Sequence, residues 1–376
     1  MLQQVIPAAG QAPPVRKGRG VSGNGGNRFD ALDTQPFDDG WASIETEQLA
    51  PVAVRTTLTP DRSRSAITRN DSPDLGFDRA INMYRGCEHG CVYCFARPSH
   101  AYLGYSPGLD FETRLTFKPD IAALLERELR RPGYEPRPIA LGSNTDPYQP
   151  VERTLALTRQ VLEVLERFGH PCSIVTKSAG VLRDLDILER MAERGLVRVW
   201  LSVTTLDPEL ARRMEPRAAT PDRRLATIAR LSEAGIPAGV LAAPMIPGLN
   251  DAELERILAA AAASGARDAG YGLLRLPSEL GEMFQTWLHQ HYPQRAAHVL
   301  KLIRETREGK LNDSRFGQRF TGQGVYADLL SQRFARAVRQ HGLNNRAPLQ
   351  TLHFEPPSVP RGRTAVRTPD AQLALF

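Results

Sequence analysis

Arg85-Gly86-Cys87-Glu88-His89-Gly90-Cys91-Val92-Tyr93-Cys94-Phe95 places three of the four cysteines of this 376-residue chain in a C-x-x-x-C-x-x-C array. Thiolates at that spacing sit on one tight loop and can converge on a single site, and soft sulfur ligands select zinc, copper(I) or an iron-sulfur cluster. A structural zinc site wants four closed ligands and usually shows paired C-x-x-C knuckles, whereas three thiolates on a 4Fe-4S cubane leave one iron open for chemistry. Zinc with His89 or His100 as fourth ligand is the alternative, against which the missing second knuckle counts. A disulfide is not expected. Nothing at the N-terminus reads as a secretory signal, so a cytoplasmic, reducing compartment would keep the thiols reduced.

Outward from the loop, short apolar runs alternate with amphipathic helical patterns, the texture of repeated βα units on a parallel sheet. Six strands are predicted, over residues 80–85, 138–142, 172–176, 197–203, 236–242 and 270–276. The clearest helix is 154–168, with Leu155, Thr158, Val161, Leu162, Leu165 and Phe168 on one face. The count predicts an α/β fold, a partial (β/α)6 TIM-like barrel over residues 71–310, with further helices over 279–291 and 294–308. A Gly-rich turn at 316–324 and a helix over 326–341 read as a helical C-terminal cap, 311–344. Residues 1–70 and 345–376 show no hydrophobic period and read as flexible N- and C-terminal tails. No apolar run approaches the roughly 20 residues needed to cross a bilayer, so no membrane association is expected. The formal net charge of +6 suits an anionic partner and equally an ordinary solvated surface.

In such barrels the working residues gather where strands end at their C-terminal edge. The second strand runs into Gly142-Ser143-Asn144-Thr145-Asp146-Pro147-Tyr148, where the small pair lets backbone approach a ligand and the acceptors suit an ammonium group, or serve as turn and helix caps. The third ends in Thr176-Lys177-Ser178, whose lysine could pair with a carboxylate, and the fourth in Ser202-Val203-Thr204-Thr205. The fifth leads into Pro244-Met245-Ile246-Pro247-Gly248, whose backbone and apolar contacts suit an adenine ring. Arg275 closes the sixth and could meet an anionic substrate or a buried ion pair. Cys172 begins the third strand, away from these ends, and reads as a small core residue.

The cysteine array, with Tyr93 just before its last member, resembles the radical S-adenosyl-L-methionine (AdoMet) superfamily. That resemblance implies the six-unit barrel, a 4Fe-4S cluster on Cys87, Cys91 and Cys94, and AdoMet chelated to the open iron. It also implies an unidentified electron donor and reductive cleavage of AdoMet to methionine and a 5'-deoxyadenosyl radical that abstracts a substrate hydrogen. The implied AdoMet contacts are Tyr93, Ser143, Asn144, Thr145, Asp146, Lys177, Ser202 and Ile246. Lys177 and Ser202, followed by Glu215-Pro216-Arg217 and Thr220-Pro221-Asp222-Arg223-Arg224, resemble the spore photoproduct lyase branch, which repairs thymine photodimers in DNA. DNA is thus an implied substrate. Radical modification of RNA, a peptide or a small metabolite is one alternative, and a zinc-organised nucleic-acid-binding module another.

Two further features complete this reading. Photoproduct lyases carry a cysteine at the end of strand two that returns a hydrogen atom to the product radical, and the matching slot here is Gly142. A different reaction, or a tyrosyl hydrogen donor among Tyr102, Tyr105 and Tyr148, is then expected. The terminal Gln372-Leu373-Ala374-Leu375-Phe376 resembles the peptide by which bacterial replication and repair proteins dock on the DNA sliding clamp. In that role Leu375 and Phe376 would fill an apolar pocket, Leu373 would add an anchor, and Gln372 would give directional hydrogen bonds. A chance match is the alternative for so short a motif.

Overall fold

The computed structural model describes residues 16–30 and 54–357. Gln372, Leu373, Leu375 and Phe376 of the clamp-like peptide, and much of the N-terminal arm, lie outside the described residues. Ten strands follow one another: β1 (Thr57–Pro60), β2 (Ile67–Arg69), β3 (Arg79–Ile81), β4 (Tyr84–Arg85), β5 (Arg114–Phe117), β6 (Ile139–Leu141), β7 (Cys172–Thr176), β8 (Val197–Ser202), β9 (Ala238–Met245) and β10 (Asp268–Leu273). Seven form the main sheet in the order β10-β9-β8-β7-β6-β3-β2. Six of these run parallel, and β2 is antiparallel at the edge. The sheet stays open, because β10 and β3 are not neighbours. This is the partial six-unit barrel.

The strands form where alternate side chains can be buried. In β8, Val197, Val199 and Leu201 are enclosed, while Arg198 and Trp200 face a second, partly covered side. Trp200 lies flat against Gly239 of β9, where a Cβ would stand 2.8 Å from the indole. The helix Leu157–Arg167 buries Leu157, Val161, Leu162, Val164 and Leu165, each worth about 1.5–3 kcal/mol relative to exposure. It begins later than its periodicity predicts. Glu152, in a separate turn Glu152–Leu155, accepts the N–H groups of Leu157 and Thr158 at 3.1 and 2.9 Å and so caps the new helix, while Ala156 breaks the backbone at φ 50°.

Other boundaries shift for tertiary reasons. The run predicted as one strand over 80–85 splits. Asn82 turns its side chain to the loop after β6, and Tyr84–Arg85 pairs antiparallel with β5 in a small sheet ordered β1-β5-β4. The strand expected over 236–242 starts beyond Pro237, which has no N–H to give the ladder, and runs on to Met245. The helix Val325–His341 of the C-terminal cap packs on the outer-layer helix Leu254–Ala263, with Arg333 bidentate to Glu255 at 2.7 Å. The helices Leu280–His291 and Pro293–Glu305 cover the cysteine loop, sharing a second apolar core with Val92, Tyr93, Met214 and Ile246.

The stretch read as a free tail from 345 is docked through residue 357. It crosses the N-terminal ends of the strands: Asn345 N–H donates to the Arg267 carbonyl, Gln350 to Gly195 and Glu355 to Phe168, and Arg130 donates to the Pro357 carbonyl. Arg346 stacks on Trp200, and Phe354 packs on Phe168, Tyr134 and His170. No helix among the described residues is long and apolar enough to cross a membrane.

His170 under this belt sets an acid limit. Its Nδ1 lies 3.0 Å from the Pro171 carbonyl and Nε2 2.9 Å from the Tyr134 hydroxyl, so the neutral ring donates to one and accepts from the other. Burial pulls its pKa down to about 4. Between its ordinary value near 6.5 and about 4 the unfolded chain therefore binds a proton that the folded chain does not. Stability is full above that window, falls as pH drops through it, and loses at most about 3 kcal/mol from this group. His100, also lowered to about 4 by burial, adds to the same window. A denaturant titration over a pH series checks this. His170→Phe is expected to flatten the dependence, and an unchanged pH profile would remove His170 from it.

Candidate metal and cofactor site

The cysteine loop is tied to its surroundings by hydrogen bonds from several elements. Arg97, fully buried, donates to the carbonyls of Cys91 (2.8 Å), Gly90 (3.1 Å), Pro107 (3.2 Å) and Gly108 (2.9 Å), and its remaining edge meets Glu112 at 2.5 Å. Glu112 in turn accepts the N–H groups of Gly20 and Val21. This draws residues of the N-terminal arm onto the loop, where a Cβ on Gly20 would overlap the Gly90 carbonyl at 1.7 Å. On the far side Val92 N–H donates to Met214 O and Arg217 N–H to His89 O, so the segment after β8 runs along the loop. Arg217 also pairs with Glu88 at 3.1 Å.

All three thiols are free; Cys87 and Cys91 are buried and Cys94 is half-buried. Burial, with Asp146 and the other two cysteines nearby, pushes the Cys87 thiol well up. Burial also raises Cys91, against the opposing pull of Lys177. Such thiols ionise when a metal replaces the proton. His89 Nδ1 lies 3.3 Å from Asp146, and His100 Nε2 lies 3.0 Å from the Arg114 carbonyl. Among the described residues no three His, Cys, Asp or Glu side chains close on one ion-sized point. Three thiols on one loop with no paired C-x-x-C knuckle fit a cluster with an open iron better than a closed tetrahedral ion.

The neighbouring strand ends divide into residues that are used by the fold and residues that are free. Asn82 Oδ1 accepts the N–H groups of Asn144 and Thr145, and Thr145 Oγ1 donates to Tyr84 O. Asp146 binds Thr176 Oγ1 (2.7 Å), the N–H of Lys177 (2.8 Å) and that of Tyr148 (2.9 Å). Burial works to raise it, but His89 and these donors prevail and hold it at about 2. Asp146 is therefore a latch between the loops rather than an open acceptor. Ser143 touches Asn82 at a long 3.4 Å, and the Asn144 side chain has no partner among the described residues.

Lys177 is half-buried and joins no ion pair among the described residues, its ammonium 5.8 Å above the Tyr93 ring. Ser202 is enclosed, its hydroxyl donating to Ala243 O at 3.2 Å. Ile246 is fully buried, and its N–H reaches Asn250 Oδ1 at 2.6 Å; Asn250 also bonds the carbonyls of Thr204 and Pro244 and so shapes the loop. The Tyr93 hydroxyl meets Glu215 and lies 3.3 Å from Thr204; Glu215 is paired with buried Arg224. No local signal marks Asn250, or the Glu215 and Arg224 pair, as buried, because each is completed by partners distant in the chain.

Gly142 has φ 85°, and a Cβ there would lie 2.2 Å from Val175 O and 2.8 Å from Pro147 Cδ. No side chain fits that slot without backbone movement. Of the tyrosines, Tyr148 is buried with its hydroxyl donating to Asp184 at 3.0 Å, Tyr105 lies under Arg114, and Tyr102 is exposed against Phe29 and Arg28.

Comparison with known proteins adds the following. The family model described as the Radical SAM superfamily matches residues 81–261. Uncharacterised proteins of Mycobacterium tuberculosis and Mycobacterium bovis are 40% identical over 287 residues, 73% of this chain and 83% of theirs. An uncharacterised protein of Methanocaldococcus jannaschii is 28% identical over 178 residues, covering 47% of this chain and 64% of its own. Among solved structures, spore photoproduct lyase complexed with dinucleoside spore photoproduct superposes with TM-score 0.52 at 19% identity, over 76% of this chain and 79% of that one. A point mutant of the same enzyme reaches 0.55 at 19% identity, over 78% and 82%. At these identities the likeness concerns the fold.

Proposed function

The chain belongs to the radical SAM superfamily, with the fold of its spore photoproduct lyase-like branch, and from that premise we propose that Cys87, Cys91 and Cys94 hold one 4Fe-4S cluster beside a site for AdoMet. When bound, these groups supply reductive cleavage of AdoMet and a radical able to take a substrate hydrogen. The observation that carries this reading is a three-thiol loop braced by the Arg97 and Glu112 pair, beside Lys177 at the end of β7, which joins no ion pair among the described residues. The chain's own groups bind and exclude. Lys177 offers its ammonium to the AdoMet carboxylate. Ser143 and Asn144 serve the amino group, and the enclosed loop at Ile246 keeps water from the site. Thr145, Asp146 and Ser202 position these groups through the bonds described above.

Anaerobic reconstitution with iron and sulfide analysis, followed by chromatography of the nucleoside products under strong reductant, tests the proposal. Stoichiometric zinc without 5'-deoxyadenosine would sink it. A second test weighs the lysine. Lys177→Ala is expected to weaken AdoMet binding by about 1.5–3 kcal/mol, the worth of a hydrogen bond to a charged group, whereas Ser202→Ala, whose hydroxyl is already bonded to Ala243, is expected to cost less. Equal AdoMet affinity in wild type and Lys177→Ala would move the lysine to another role.

For substrate we read nucleic acid. Spore photoproduct lyase, solved with bound AdoMet and dinucleoside spore photoproduct in a mutant of TM-score 0.51, offers the precedent for the fold. The closed backbone at Gly142 supports a reaction that does not draw a hydrogen atom from a cysteine at that position.

A further inference from the structure

Arg275 stands just past the end of β10, beside Phe95, which follows the last cysteine of the loop. Its guanidinium carbon is 5.6 Å from the centre of the Phe95 ring and 5.0 Å from that of Phe320. The side chain is partly enclosed, its Nε is buried without a hydrogen-bond partner, and Arg275 joins no ion pair among the described residues. Of the neighbouring cations, Arg319 and Arg315 have carboxylate partners, and Arg307, whose Nε is also buried without a partner, is held by carbonyls alone. Arg319 pairs with Asp74 at 2.5 Å, Arg315 with Asp313 and Glu308, and buried Arg307 donates to the carbonyls of Gln318 and Leu274 at 2.9 Å. Burial, followed by the charge of Arg319, pulls Arg275 down, and burial followed by Arg275 pulls Arg307 down to about 10. An excess of enclosed positive charge beside the site is costly, and a bound anion would relieve it.

The surroundings indicate which anion. Among the described residues the exposed aromatic rings are Phe29, Phe95, Tyr102 and Phe316, and each carries an arginine over its face. Arg28 links the first group to the sixth strand end by pairing with Glu279, four residues past Arg275. Open rings alternating with guanidinium groups are what stacked bases and their phosphates require. A carboxylate would satisfy Arg275 but leave the open surface of Phe95, 47% exposed, uncovered.

We propose that Arg275 and Phe95 form a nucleotide subsite at the mouth of the barrel, Arg275 taking a phosphate and Phe95 stacking on the attached base. The inference rests on the reading of the cysteine loop as the reaction centre only for the subsite's purpose, and not for its existence.

Equilibrium binding tests it without AdoMet or reductant, so its failure leaves the cleavage assay untouched, and the reverse. A short fluorescent single-stranded oligonucleotide is titrated with full-length protein over a salt series. Arg275→Gln is expected to raise Kd about tenfold and to lower the slope of log K against log salt by about 0.7, one phosphate contact on a single strand. Arg275→Lys keeps the charge and should keep the slope. Phe95→Leu should raise Kd about tenfold with the slope unchanged. Arg130→Gln, at the opposite end beside Pro357, should change neither. Competition by a mononucleotide as strong as by the oligonucleotide would identify free nucleotide as the source of the phosphate, and competition by the oligonucleotide alone would identify a strand; either supports the subsite. Wild-type affinity and slope in Arg275→Gln, an equal loss in Arg130→Gln, or displacement of the oligonucleotide by an acidic peptide overturns it.

Discussion

Replacing any one of Cys87, Cys91 or Cys94 by Ala is expected to reduce AdoMet cleavage by reconstituted protein to background, while Cys172→Ala leaves it at the wild-type level. The loop carries three cysteines, so the loss of one would leave a cluster only two anchors from it. Cys172 differs in place and in chemistry. It begins β7, at the end of the sheet away from the loop, is fully enclosed, and burial alone pushes its thiol up to about 12. Its truncation removes one buried atom and is expected to cost about 1 kcal/mol of stability. Iron per chain, measured beside 5'-deoxyadenosine yield, checks the result. Full iron and activity in any of the three variants would show that the loop is not the cluster site.

The second large effect is expected at Arg97. Arg97→Leu should lower stability by about 3–5 kcal/mol, because it leaves the Glu112 carboxylate buried without its counter-charge, and the carbonyls of Gly90 and Cys91 in the loop and of Pro107 and Gly108 beside it without their donor. Burial already works to raise the pKa of Glu112, and the arginine is the first influence opposing it. The double variant Arg97→Leu with Glu112→Leu should recover part of the loss, since no unpaired charge remains. Denaturant unfolding of the metal-free protein measures both. A single variant within about 1 kcal/mol of wild type would mean that the loop does not depend on this pair.

The barrel was legible because its central strands are apolar runs with firm ends. The strand over 172–176 has the predicted bounds, set by Pro171 before it and by the polar Lys177-Ser178 after it. The main divergences arise where distant polar groups decide the local structure. Asn82 leaves its strand to bind the loop at Asn144, Glu152 starts a helix at Leu157, and β1, exposed along its whole length, carries no apolar signal. Residues 16–30 were read within a flexible arm because they lack a hydrophobic period, yet polar bonds tie them down: Gly20 and Val21 donate to Glu112, and Arg28 pairs with Glu279. At the candidate site, the grouping of three cysteines on one loop could be read from spacing alone. Which of Ser143, Asn144, Thr145 and Asp146 keeps a free side chain could not, because that depends on Thr176 and His89 converging on Asp146.

The belt over residues 345–357 crosses the N-terminal ends of the strands and hands the chain on from Pro357, beside Arg130. The cysteine loop and Arg275 lie at the other end of the same strands. The belt thus straps the rear of the barrel and takes no part in the end that carries the cysteines. Bonded at Arg267, Gly195, Phe168 and Arg130, the belt spans the barrel base from β10 to the segment that leads into β7, so a pull along it would load several strands together rather than peel one.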